Sequence, residues 1–271
     1  MLLRVLDRFR YAPISTEWTI PFGETFFHVG VHNLPPAFAG QILKEMSGFT
    51  AHPEECKLGQ ILEMLSSCRE TLVVLNHPLW DETNIGLIQH AQTLGRLLER
   101  HRRFFHALEL NGLRRWKENQ QVIGLGRQVG LPLVGGGDRH GLEPNSILNL
   151  SRAETFAEFV REIRSKRSSH IVVMPQYRAP MALRISQMVT DILRDYPEQA
   201  GRKTWSDRVF VRGEKPENAI PISAVWKDGG PRALRAVIAA TQILDWRSIR
   251  WAVRLALRRQ APAWSDQELA A

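Results

Sequence analysis

Between residue 36 and about residue 175 the sequence switches repeatedly between two hydrophobic periods, and this alternation constrains the fold more than any other feature. "FAGQILKEM" and "LGQILEMLSSC" carry apolar residues at helical spacing, and "TLVVLNHP" is then a short β-branched run stopped by Asn-His-Pro. "IGLIQHAQTLGRLLERHRRF" is helical, and "HALELNG" reads as a strand. "RWKENQQVIGLGRQVG" is a helix with a C-terminal glycine, followed by the strand "LPLVGG". "SILNL", the helical "ETFAEFVREIRSKR" and "HIVVMP" continue the series. Strands alternating with helices predict parallel pairing through crossover connections, hence an α/β sheet or a (β/α) barrel.

Polar residues cluster at the ends of these strands. His77 ends one, Glu109 and Asn111 end the next, and Asp138 and His140 follow the one after. In parallel α/β folds ligand-binding groups gather beyond the carboxyl ends of the strands. "GLPLVGGGDRHGLE" alone has two readings: a surface turn in which Asp138 bonds nearby amides, or a pair of metal ligands at a barrel mouth. Three successive strands ending in metal-competent side chains favour the second.

The stretch before residue 36 adds to this pattern. "STEWTI" and "TFFHVGVHNL" flank "PFGE" as the arms of a hairpin. Alternation puts His28, Gly30 and His32 on one face of the second arm, with Glu17 able to meet His28 at the same end of the sheet. His52, His90, His101, His106 and His170 fall on loops, on helices or at strand beginnings, where ordinary structural roles suffice.

Three stretches resemble motifs of the PHP (polymerase and histidinol phosphatase) metal-dependent phosphoesterases: "NHP" at 76–78, "ELNG" at 109–112 and "GLPLVGGGDRHG" at 130–141. The last is similar to the family's final motif, with Gly137 where serine is usual. The pairing of Glu17 with His28 and a following Val-Gly is similar to the branch that acts on nucleotides or trims short RNA. The resemblance covers roughly residues 10–175 and implies a distorted TIM-like (β/α) barrel with a cluster of metals at its mouth. It implies Glu17, His28, His77, Asp138 and His140 as metal ligands, with Glu17 bridging two ions and Glu17 and Asp138 central to catalysis. Glu109 and Asn111 are implied as outer residues supporting the ligands or substrate, with His32 beside them. The family begins with a His-x-His strand that has no counterpart in the sixteen residues before Glu17, so the expected barrel is incomplete at its N-terminus.

Imidazole together with carboxylate suits zinc, manganese or iron, and such ions generate hydroxide for phosphate-ester hydrolysis. The implied substrate is a phosphorylated small molecule or a short nucleic acid. The rival expectation is a catalytically degenerate relative of that fold, acting as a binding or regulatory module through its basic C-terminal helix. No nucleophile elbow, P-loop or dinucleotide fingerprint is present, which argues against acyl transfer and NTP hydrolysis.

Beyond residue 175 the alternation stops, which predicts a PHP-like domain over 1–175 and a basic, mainly helical region over 176–271. "MALRISQMVTDILRDYP" reads as a helix ended by Pro197, and a second begins at Pro231. Residues 1–150 hold 15 basic and 15 acidic residues, whereas the remainder holds 21 and 13, so the net charge of +8 arises entirely after residue 150. Arg247, Arg250, Arg254 and Arg258 line one helical face and could meet an anionic surface, although a solvated basic face is the commoner outcome. No apolar run is long enough to span a bilayer, and the start lacks a signal-peptide pattern. Cys56 and Cys68 fit neither a zinc ribbon nor a redox pair and read as free, at least half-buried thiols. These features together predict a cytoplasmic protein.

Overall fold

The computed structural model describes residues 13–138, 145–167, 169–198, 204–211, 219–226 and 230–244. These fall into two compact units. Of the described residues, the first comprises those up to Gly137 together with those of Ile147–Val172, and the second comprises Asp138, Asn145, Ser146 and those from Val173 onward.

The first unit is built on a mixed sheet of five strands in sequence order: β1 (Ser15–Phe22), β2 (Thr25–His32), β3 (Leu72–Asn76), β4 (Ala107–Asn111) and β5 (Leu133–Gly136). β1 and β2 form the expected hairpin, closed by the two-residue turn Gly23–Glu24. β2 pairs antiparallel with β3, while β3, β4 and β5 run parallel. Among the described residues the sheet is open, not the closed barrel expected from the alternation. The physical reason is the antiparallel hairpin at one edge: hydrophobic period reveals which face of a strand is buried but not the direction of its neighbour.

Register assigns two chemically different faces. Trp18, Ile20, Phe27, Val29, Val31, Val73, Leu75, Leu108 and Leu110 occupy one face and are all buried. Helix α1 (Ala39–Ala51) packs there: Trp18 stacks edge-on against Phe49 at 5.6 Å and its indole N–H donates to Met46 O at 2.9 Å. Helix α2 (Glu55–Ser67) follows, burying Leu58, Ile61, Leu62 and Leu65. Helix α3 (Leu87–His101) brings His90 against Phe27, with ring centroids 5.2 Å apart. Each such side chain contributes about 1.5–3 kcal/mol by leaving water, so this face carries much of the fold's stability.

The opposite face is divided along its length. At one end Leu72, Val74, Ala107 and Val134 form a core with Val160 and Ile163. These last come from helix α5 (Phe156–Arg161) and the π turn Glu162–Lys166 that extends it; helix α4 (Trp116–Val129) lies earlier, between β4 and β5. The helix expected over 154–167 is therefore a short α-helix that widens before it ends, started by a Thr155–Glu158 capping box. At the other end the same face carries Glu17, His28, Asn76, Glu109 and Asn111, because strand alternation places them in register with the apolar residues below.

Two polar devices hold the edges of this unit. The Asn149 side-chain amide exchanges two hydrogen bonds with the Gly135 backbone, at 2.8 and 2.9 Å, where a neighbouring strand would normally do so. It joins β6 (Ile147–Leu150) to β5; β6 in turn pairs with β7 (His170–Val173). Arg164 reaches from the π turn to the carboxyl end of α2, donating to Ser66 O at 2.6 Å, to Thr71 O at 2.9 Å and to Cys68 O. It satisfies carbonyls that a helix end leaves open.

In the second unit Tyr177 is buried with the Arg184 guanidinium 4.4 Å above its ring. Helix α6 (Met181–Ile192) contacts the helix Arg232–Leu244 that follows Pro231. α6 ends at Ile192, before Pro197, the expected end, and beyond it the Tyr196 hydroxyl donates to Asp191. No helix among the described residues is long and apolar enough to cross a membrane. Cys56 is exposed and not buried as expected, Cys68 is half-buried, and both are free. The "MLLRVLDRFR" segment and the arginine stripe Arg247, Arg250, Arg254 and Arg258 lie outside the described residues.

Candidate metal centre

Glu17 sits near the start of β1, His28 in the middle of β2, and His77 immediately after β3. Register brings them together: Glu17 faces Gly30, and His28 faces both Thr19 and Asn76. One ligand atom from each of Glu17, His28 and His77 lies within 4.8 Å of the other two. His28 Nδ1 and His77 Nε2 are 3.3 Å apart, and His77 Nε2 is 3.5 Å from Glu17 Oε1.

These distances can be compared with what an ion requires. Ligand bonds of about 2.1 Å in a tetrahedral arrangement place neighbouring donor atoms about 3.4 Å apart. Both measured edges are close to that figure and the third pair, Glu17 and His28, lies within 4.8 Å, so the donor set of two imidazoles and one carboxylate is of the kind that holds a divalent cation. Such a set leaves further coordination positions open for water or substrate.

The supporting contacts keep the carboxylate charged and the imidazole oriented. Asn76 Nδ2 donates to Glu17 Oε1 at 2.7 Å. The His77 ring, followed by Asn76 and the positive potential of both histidines, holds the Glu17 carboxyl down at about 2 despite its partial burial. Glu17 is therefore ionised at neutral pH, as a ligand must be. Gly30 makes the Asn76 contact sterically feasible: a Cβ at that position would lie 2.9 Å from Asn76 Oδ1 and 2.7 Å from His32 Nε2.

His77 adopts a backbone φ of 27°, a region that a side chain of this size rarely occupies. The conformation is held from behind by Glu109, whose Oε2 accepts from His77 N at 2.9 Å and from Asn111 Nδ2 at 3.1 Å. Burial raises the Glu109 carboxyl above its ordinary value, opposed by His77 and Asn111. Glu109 lies directly over Gly136, where a Cβ would collide with its carboxylate. Asn111 is committed to structure as well: its backbone N–H and C=O pair with the Asn119 amide, each at 3.0 Å, and its side-chain oxygen accepts from Leu113 N at 2.7 Å.

Of the residues singled out in the sequence, Glu17, His28 and His77 converge, and Glu109 and Asn111 stand behind them. His32 shares their face; burial lowers its pKa, opposed by the nearby Glu17 charge, and it is not part of the three-residue group. Asp138 follows β5 with φ of 46°, is half-buried and belongs to the second unit. His140 lies outside the described residues.

Four further residues surround the group. Asn76 was legible only as the residue before His-Pro. Glu82, from the loop after β3, puts Oε2 at 3.9 Å from His28 Nδ1. Trp80 meets the His77 ring edge-on at 5.3 Å, and the Arg114 guanidinium lies 3.4 Å above the Trp80 ring, bringing a cation beside the site. The loop itself is fastened by Asp81, which accepts from Ile85 N at 3.1 Å and Gly86 N at 2.7 Å, and by His90 Nε2 donating to Pro78 O at 3.0 Å.

Compared with known proteins, the chain matches no family model and shows no significant match to a characterised protein. The residues and their geometry alone carry the functional reading.

Proposed function

We propose that the first unit binds a divalent zinc, manganese or iron ion through Glu17, His28 and His77 and hydrolyses a phosphate ester with it, as a PHP-type phosphoesterase whose open sheet corresponds to part of the family's barrel. The observation that carries this reading is the pair of 3.3 and 3.5 Å edges converging on His77 Nε2. A bound ion of this kind supplies hydroxide near neutral pH by lowering the pKa of its water from about 15.7 toward roughly 7. The protein's own groups have separate tasks. Glu17 supplies a fixed negative charge, Asn76 and His77 orient it, and Glu109 fixes the strained His77 backbone. Glu82 stands where it can accept a proton at the rim, and Arg114 offers positive charge to an anionic substrate.

The test is hydrolysis of p-nitrophenyl phosphate, bis(p-nitrophenyl) phosphate, nucleoside monophosphates and short RNA by the purified chain with each metal. Metal-dependent release that is lost in Glu17→Gln and His77→Ala supports the enzyme. Tight metal binding without hydrolysis of any substrate favours the second reading, a binding module descended from the same fold. That alternative draws on the three-residue ligand set, which holds one ion more readily than a pair.

A further inference from the structure

The first unit carries a concavity lined by residues that take no part in the metal group. A pocket of about 600 Å³ opens between the end of β6, helix α5, the π turn and the start of β7. Leu150, Phe159 and Ile163 give it an apolar floor, while Arg152, Lys166 and His170 stand at its exposed rim. Neither Arg152 nor Lys166 has an ion-pair partner among the described residues. The acidic residue of the lining, Glu162, is held to the wall by the Ser151 hydroxyl at 2.6 Å, and Ser151 in turn accepts from Ala153 N at 2.9 Å.

The wall is fixed before any ligand arrives. Ile163 is fully buried in the core with Leu72, Val74 and Ala107, and Arg164 is bound to three carbonyls at the end of α2. Both lie in the π turn that presents Glu162 and Lys166 to the pocket, and such widened turns recur at functional sites. Its volume falls within the range of small-molecule sites, whose pattern is an apolar lining with a few placed polar groups.

We propose that this pocket binds a small organic anion with an apolar body, an acyl or aryl carboxylate or phosphate, with its head between Arg152 and Lys166 and its body on Leu150 and Phe159. Charge complementarity fixes the sign of the head group, and the apolar floor requires a non-polar remainder. Two cations above a concave apolar surface differ from the extended basic stripe that tracks a polynucleotide backbone.

The experiment is calorimetric titration of the full chain with dodecanoate and with 1-naphthyl phosphate, which separate the two head groups, and with dodecanol and 1-naphthol as neutral controls. All titrations are repeated in Glu17→Gln with chelator present, so that binding at the metal group is removed. One-to-one binding of at least one anion, about tenfold or more tighter than its neutral control, is expected. It persists in Glu17→Gln and weakens at least about tenfold in the Arg152→Glu/Lys166→Glu double variant, whose substituted side chains are exposed and whose fold is checked by circular dichroism. Equal affinity for the neutral controls, affinity unchanged by the charge reversal, or loss of binding in Glu17→Gln overturns the assignment. So does binding of an acidic peptide by a chain that takes up neither small anion.

Discussion

His28 Nδ1 and His77 Nε2 face each other across 3.3 Å although 49 positions separate them in the chain. Two neutral imidazoles at this distance can share at most one hydrogen, and two protonated ones repel. A cation held by them and Glu17 would use a lone pair of each ring. The sheet creates the encounter: β2 pairs with β3 so that His28 lies opposite Asn76, and the sharp backbone turn at His77 swings its ring back over the same end.

Asn76 is expected to matter for metal binding out of proportion to its exposure. Asn76→Ala removes the 2.7 Å bond to Glu17, and groups that orient a ligand are worth about 10- to 100-fold in affinity. Gly30→Val should produce a similar loss by displacing the Asn76 amide. Metal titrations of both variants check this; unchanged affinity in both contradicts it.

Gly136 is the position where the smallest addition should be felt. A methyl group there meets the Glu109 carboxylate at once, and that side chain is buried and bonded to His77 N. Gly136→Ala is expected to cost about 1–3 kcal/mol, the usual penalty for overpacking. Denaturant unfolding measures it, and a change under about 0.5 kcal/mol contradicts the expectation.

Arg164 should behave as a structural cap. Arg164→Met keeps the aliphatic stem and strips three carbonyls of their donor, for an expected loss on the order of 2–4 kcal/mol. Thermal unfolding should show a lowered midpoint with metal affinity intact.

His106 sets a pH limit on stability. Burial and then the Arg164 charge push its pKa from 6.5 down to about 3, and its Nδ1 accepts from Val73 N at 2.9 Å, a bond that a protonated ring loses. Below pH 6.5 the unfolded chain takes up a proton that the folded chain refuses. The contribution is therefore fully present above pH 6.5 and declines as pH falls toward 3, at up to about 1.4 kcal/mol per pH unit. Unfolding free energies measured from pH 7 to 4 should fall less steeply in His106→Gln than in the parent. Parallel slopes contradict this role.

Much of the sheet was legible because its strands are short β-branched runs with abrupt polar ends: "LVVLN" and "ALELN" each became a strand with few changes at its bounds. The candidate ligands Glu17, His28 and His77 were legible as polar residues on otherwise apolar elements. Asn76, Glu82 and Arg164 were not, because their roles depend on partners fixed only by register and packing. Gly30 opposite Glu17 makes room for Asn76, and a π turn aims Arg164 at a helix end nearly a hundred residues earlier. Whether the sheet closes was not legible for the same reason: alternating periods identify strands and helices, while the antiparallel β2–β3 pairing is a property of the assembled sheet.

The most direct test is calorimetric titration of Zn²⁺ and Mn²⁺ into the metal-stripped full chain, beside His77→Ala and, as a control away from the site, the exposed His52→Ala. The expected result is saturable binding of at least one of these ions that weakens about 100-fold or more in His77→Ala and is unchanged in His52→Ala. Absence of binding, or equal binding by the parent and His77→Ala, would contradict a metal centre at Glu17, His28 and His77.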